Sequence, residues 1–209
     1  MKKKLAGLGL VVGAWVVAGQ AQAQTAEIKV IGKIVPDACQ FTIGNGGVYD
    51  FGNIASDKLS QDATTPLDAK TQTVAISCNA AAKVALNVRD NRSGTAVGGK
   101  GDDYEFGLGN EKAGYYTLAL NNAVGDSNAL DVVAAPAGSD AWALDSTGLM
   151  ANGSARKSFS ESGSTAPGAY KTISADLTVS PTINKLSELD LSNGGVSLDG
   201  SATLELTYL

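Results

Sequence analysis

Apolar side chains in this chain recur at every second residue, not every third or fourth. Over residues 170–179 the pattern sets Ile173, Ala175, Leu177 and Val179 on one face. Successive side chains of a strand point to opposite sides, so this is the mark of a strand with one buried face. Residues 38–43, 48–51, 72–78, 84–88, 104–108, 115–120 and 130–133 are shorter runs of the same kind, alternating or β-branched and parted by Gly, Asn and Asp. Residues 182–186 follow Pro181 as a further strand, and 201–209 close the chain. Helical periodicity is nearly absent, with a short helix over 58–63 as a weak candidate. Many short strands joined by glycine-rich turns predict an all-β antiparallel sandwich. Residues 91–101 and 134–168, rich in Gly, Ala and Ser, read as surface loops.

The N-terminus carries Lys2, Lys3 and Lys4, an apolar run from Leu5 to about Ala18, and then Ala21-Gln22-Ala23. A basic start, an apolar centre and a small-x-small site read as a secretion signal, residues 1–23, cut after Ala23. The apolar run is shorter than the roughly 20 residues a bilayer span needs, so no stable membrane insertion is expected. Removing the three lysines leaves thirteen basic residues against 21 acidic ones, a net charge of −8. Nucleic acid and anionic membrane are polyanions and are therefore poor partners. The remaining chain suits one domain with a proper core.

Export delivers Cys39 and Cys78, the two cysteines of the chain, to an oxidising compartment. A disulfide between them closes a loop of about 40 residues and contributes on the order of 3–4 kcal/mol in the chain-entropy model. A metal site is the weaker alternative, because the chain has no histidine. The same lack removes Ser-His-Asp and Cys-His catalysis. Ser154-Ala155-Arg156-Lys157 has the Ser-x-x-Lys spacing without its companion motifs. Asp102, Asp103 and Glu105 form an acidic cluster without a calcium-loop spacing. Trp142 and Tyr115-Tyr116 offer rings for a sugar, although isolated aromatics in a sandwich belong more often to the core. The expectation is a protein that is not an enzyme, with no cofactor and no metal.

Both ends of the exported chain are amphipathic strands. Ala26, Ile28, Val30, Gly32 and Ile34 alternate with Glu27, Lys29, Ile31 and Lys33 ahead of the first cysteine. At the other end Ala202, Leu204, Leu206 and Tyr208 alternate with small or charged residues up to Leu209. A strand lying before the covalent staple has few obligations to its own domain and is free to add to a neighbour's sheet edge.

These features together resemble the subunits of chaperone–usher pili, in a divergent branch of the pilins. The resemblance lies in the N-terminal segment, in Gly32-Lys33-Ile34-Val35-Pro36-Asp37-Ala38-Cys39, in Asp50-Phe51-Gly52-Asn53-Ile54, in Pro167-Gly168-Ala169-Tyr170, and in the penultimate aromatic Tyr208. Gly194 and Gly195 stand near the position of a late glycine found in that family. The resemblance implies an incomplete immunoglobulin-like sandwich over 37–209, lacking its last strand, with residues 24–36 as a donor extension. It implies that Ala26, Ile28, Val30, Gly32 and Ile34 fill the groove of a neighbouring subunit. It further implies that Ala202, Leu204, Leu206 and Tyr208 face a periodic guest strand, first from a periplasmic chaperone and then, at the outer-membrane usher, from the next pilin. The expected destination is a fimbrium on the cell surface. The alternative is a tip adhesin or a secreted carbohydrate-binding sandwich.

Overall fold

The computed structural model describes residues 29–31, 39–109 and 112–209. The chain divides into two compact units, Met1–Ile34 and Val35–Leu209. Of the first, residues 29–31 are described, without regular secondary structure, and the predicted secretion signal lies outside the described residues.

The second unit is all-β. Its strands are β1 (Gln40–Ile43), β2 (Thr65–Pro66), β3 (Lys70–Ala82), β4 (Val84–Asp90), β5 (Phe106–Gly107), β6 (Gly114–Gly125), β7 (Asn128–Pro136), β8 (Ala143–Leu144), β9 (Ala155–Glu161), β10 (Tyr170–Ile183) and β11 (Ala202–Tyr208). Helical structure among the described residues is limited to three short 3₁₀ turns, Gly44–Gly47, Ser56–Lys58 and Leu186–Glu188. The helix expected over 58–63 is absent; the chain there makes only the turn at Ser56–Lys58.

The main strands follow one path, β1-β3-β10-β6-β7-β9-β4-β11, and every pairing between named strands is antiparallel. The path folds on itself at the β6–β7 hairpin. There Gly125 pairs with Asn128 across a two-residue turn whose Asp126 and Ser127 have φ of 47° and 72°. Two successive left-handed residues match the twist of the strands they join. Only two rungs form before β6 continues beside β10 and β7 beside β9. The Asp126 carboxylate secures the corner by accepting the backbone N–H groups of Lys171 and Thr172, which hold its pKa below the usual carboxylate range.

The two arms of the path enclose one core. Val74 and Ile76 of β3, Ile173 and Leu177 of β10, and Leu118 and Leu120 of β6 meet Leu86 and Val88 of β4 and Phe159 of β9. The period-two pattern of 170–179 is reproduced in the burial of Ile173, Ala175, Leu177 and Val179. Pro181 does not end that strand, because β10 runs through it to Ile183, and Thr182 and Ile183 pair with β2 on one side and β6 on the other. The result is a large antiparallel sheet nearly closed around its core, with β1 and β11 as the two ends of the path.

A longer stretch also departs from expectation. Residues 134–168 are not simply a surface loop, since they contain β9, whose Lys157, Ser158, Phe159 and Ser160 are all buried. The polar members are satisfied inside. Ser158 Oγ donates to Val84 O at 2.6 Å, Ser160 Oγ donates to Ser164 O at 2.7 Å, and the Lys157 ammonium pairs with Asp145. A buried polar strand of this kind leaves no apolar alternation to find.

Candidate functional site

The feature that stands out is the unfinished edge between β1 and β11. Strand β11 pairs with β4 along its whole length, Ala202 opposite Asp90 through Tyr208 opposite Val84, without a register shift. Asn91 N–H donates to Ser201 O at 2.9 Å and Leu209 N–H to Lys83 O at 3.0 Å. In an antiparallel pair each residue turns both backbone groups to the same side, and the side alternates. Residues 201, 203, 205, 207 and 209 therefore bond toward β4. The N–H and C=O groups of Ala202, Leu204, Leu206 and Tyr208 point the other way, toward an edge with no strand partner among the described residues.

The side chains of the same residues complete the picture. Ala202, Leu204 and Leu206 are half-buried and pack against the core from one side, while Thr203 and Glu205 face solvent. Such a strand is finished on one edge and on neither side fully covered. Beside it lies a hollow of about 270 Å³, walled by Ile43, Tyr49 and Phe51 on the β1 side and by Leu198, Ala202 and Leu204 on the β11 side. Tyr116, Leu118, Leu177 and Val179 line it from within the fold. It continues into a wider depression of about 990 Å³ between residues 48–54 and 189–198.

The β1 wall is pinned by side chains in place of a strand ladder. After β1 the chain turns at Asn45, Gly46 and Gly47, all at positive φ, and runs on as 48–51 without strand pairing. Gln72 Nε2 donates to Val48 O at 2.6 Å, the Lys70 ammonium donates to Asp50 O, and Tyr49 Oη donates to Leu177 O at 3.0 Å. Burial pushes the Tyr49 phenol up to about 12, so it stays protonated as a donor at any physiological pH. Lys70 also stands 5.1 Å from the Phe51 ring centroid.

The two walls meet at one end. Cys39 is bonded to Cys78 of β3, as expected from the sequence. The Cys39 N–H donates to Tyr208 Oη at 2.6 Å, which clasps the start of the first wall to the end of the last strand. A side-chain hydroxyl thus bridges two strands that share no backbone ladder.

Of the donor residues expected from the sequence, Ala26, Ile28, Gly32 and Ile34 lie outside the described residues. Val30 is described and is 93% exposed, as is Ile31 at 91%. Ala202, Leu204 and Leu206 stand together on the inner face of β11, and Tyr208 sits at the clasp. Sequence reasoning missed Tyr49, Tyr116, Leu198 and Gly200 as parts of the hollow. Tyr49 and Phe51 flank Asp50 at strand spacing, which was the available signal; nothing local marks the others.

The remaining candidates are engaged in the fold. Glu105 accepts the N–H groups of Lys100 and Gly101, both at 2.7 Å, and so organises its own loop. Among the described residues no group of three or more His, Cys, Asp or Glu is placed to hold a metal. Tyr116 is buried against Phe106 with ring centroids 5.4 Å apart, and Trp142 lies 5.1 Å from the Arg156 guanidinium. Lys157 of the Ser-x-x-Lys spacing is held by Asp145. No described helix is long and apolar enough to cross a membrane.

The geometry is that of an antiparallel sheet nearly closed on itself, with one backbone edge that has no strand partner among the described residues and an apolar hollow beside it. Comparison with known proteins finds a family model and two similar proteins. The family described as "Protein of unknown function (DUF1120)" matches residues 28–131, just under half of the chain. The chain is similar to Protein GltF of Escherichia coli (strain K12), 24% identical over 224 residues covering 88% of each protein. It is also similar to the Uncharacterized protein YhcF of the same strain, 28% identical over 207 residues, covering 82% of this chain and 85% of the relative.

Proposed function

We propose that the protein is a structural subunit of a chaperone–usher pilus, exported through the periplasm and polymerising into a surface fimbrium by strand exchange. In this reading the fold is an immunoglobulin-like sandwich of the pilin type. Its missing strand is supplied first by a periplasmic chaperone and then, at the outer-membrane usher, by the N-terminal segment of the next subunit. The protein works by assembly and is not an enzyme.

The observation that carries this reading is the edge of β11. Ala202, Leu204, Leu206 and Tyr208 present backbone groups with no strand partner among the described residues, along a row whose side chains are only partly covered. Left open, such an edge invites uncontrolled pairing. A guest strand satisfies its hydrogen bonds and fills the hollow in one event, with backbone bonds giving affinity and alternate side chains giving register. The Cys39–Cys78 disulfide fits an oxidising compartment.

The test is Val30→Asp. Val30 is exposed and lies outside the β-unit, so the variant is expected to fold and to be held by its chaperone as well as the parent. A carboxylate driven into an apolar groove costs several kcal/mol, and polymer should disappear. Fibres of normal length and number from this variant would overturn the assignment.

A further inference from the structure

The geometry of the β11 edge, combined with the charge pattern of the N-terminal segment, points to one register for the joint between two copies. We propose that residues 26–34 of one copy lie antiparallel to 200–208 of the next, with Lys29 directly opposite Glu205. This rests on the strand-exchange reading above and specifies its partner residue by residue.

Three constraints converge on it. The first is phase. The even residues 202–208 of β11 turn their backbone groups to the open edge, so an antiparallel guest bonds to them through its own residues of one parity. Directly opposed residues also share a face of the sheet. The apolar guest row Ala26, Ile28, Val30, Gly32 and Ile34 must therefore oppose even residues, and the outer row Glu27, Lys29, Ile31 and Lys33 must oppose odd ones.

The second is length. The guest offers five alternating apolar or glycine positions, and the edge offers five matching ones, Gly200, Ala202, Leu204, Leu206 and Tyr208. A single antiparallel register uses all five: Ala26 opposite Tyr208, Ile28 opposite Leu206, Val30 opposite Leu204, Gly32 opposite Ala202, and Ile34 opposite Gly200. Sliding by two residues carries Ile34 past Gly200 to Leu198, whose neighbour Asp199 bonds to Leu108 and not to β4, or carries Ala26 past Tyr208, and either slide leaves one of the five edge positions unmatched. The last pairing is sterically apt. A Cβ on Gly200 would stand 2.9 Å from Tyr116 Cε1 and 3.1 Å from Leu108 Cδ2, so the acceptor has no room for a side chain of its own there. Ile34 of the guest brings one to the neighbouring strand.

The third is charge. Glu205 is the single charged residue of β11, and its side chain is exposed on the outer face. In the full-length register it meets Lys29. Glu27 then faces Thr207, Ile31 faces Thr203, and Lys33 faces Ser201, with no like charges opposed. Odd positions are the non-hydrogen-bonded pairs of this ladder, in which Cα atoms approach to about 4.5 Å and side chains are closest. The ion pair thus occupies the rung where it discriminates most.

The experiment mixes two full-length, differently tagged copies under oxidising conditions. One carries Ile31→Cys, and the other carries a single cysteine at Thr203, Ser201, Glu205 or Thr207. A directly opposed, non-hydrogen-bonded pair lies within the Cα range a disulfide tolerates, whereas a diagonal neighbour at roughly 7–8 Å lies outside it. Crosslinking is expected with Thr203→Cys and at least tenfold less at the other three. Preferential crosslinking at Ser201 or Glu205, the residues that a slide of two would set opposite Ile31, or at Thr207 overturns the register, and each of these leaves strand exchange standing. Polymer without crosslinking at any of the four overturns the register as well. No crosslink together with no polymer removes the strand-exchange reading itself. As a second readout, Lys29→Glu and Glu205→Lys should each slow assembly by about two- to fivefold, in line with an exposed cross-strand pair. The double exchange should restore the parental rate, and unaltered single variants would refute the Lys29–Glu205 contact.

Discussion

Lys157→Ala should be among the most destabilising substitutions in the chain, although nothing near Lys157 in sequence advertises a core. The side chain is 5% exposed and that of its partner Asp145 is 13% exposed. Removing the ammonium leaves a nearly buried carboxylate supported by Thr147 alone, through Oγ1 at 2.7 Å and N–H at 3.0 Å. Breaking a buried pair from one side costs about 3–5 kcal/mol. At about 2–4 °C per kcal/mol for a domain of this size, the midpoint should fall by roughly 6–20 °C. The effect carries a pH signature. Burial works to raise the Asp145 carboxyl, but the hydrogen bond from Lys157, with those from Thr147, outweighs it and holds the group below the usual range. A depressed carboxyl stabilises the fold above its unfolded value near 4 and loses that contribution as pH falls through the folded value. The gap between parent and variant should therefore be widest near neutrality and narrow in acid. Thermal unfolding followed by circular dichroism between pH 7 and pH 3 measures both. A shift below about 2 °C at pH 7, or a gap equal at both ends of the range, would refute the reasoning. The double substitution Lys157→Met with Asp145→Leu should recover most of the loss, because an apolar pair removes the charge that the single variant strands.

Two further outcomes follow from the clasp. Tyr208→Phe deletes the acceptor for the Cys39 N–H and should cost about 1 kcal/mol, with faster hydrogen exchange at the Cys39 amide; unaltered exchange would show that the bond does not form in solution. Replacing both cysteines by serine should lower stability by about 3–4 kcal/mol while leaving the far-ultraviolet spectrum of the folded state unchanged, and reductant should reproduce the loss in the parent.

What was legible in the sequence was whatever expressed itself as alternation. Strands β3, β6, β10 and β11 bury apolar residues on one side and show it, and β4 and β7, buried in part on both sides, show short apolar runs. The disulfide was legible from cysteine count and export. Strand β9 was not, because Lys157, Ser158 and Ser160 enter the interior with their partners supplied from Asp145, Val84 and Ser164. Residues 48–51 misled in the opposite sense. Their pattern is that of a strand, yet side chains of Gln72 and Lys70 hold the segment at the sheet edge and no ladder forms. The inner row of β11 could be read locally, but its role depends on which edge of the strand is left unpaired. That is a property of the path β1-β3-β10-β6-β7-β9-β4-β11 and of no single segment.

The clasp between Cys39 and Tyr208 makes the two ends of the hollow unlike. One is bridged by a hydrogen bond; the other opens into the wider depression beside residues 189–198. A strand laid along such a cleft meets a stop in one direction and free space in the other, so the cleft itself imposes an orientation on its guest. Joints that all share one orientation add up to a filament with a head and a tail, the open-ended outcome of a heterologous contact. Under the proposed strand exchange, each addition would fill one cleft and bring another, so the count of vacant clefts would stay constant however long the filament became. Growth of that kind would contain no instruction to stop, and filament length would have to be set from outside the joint.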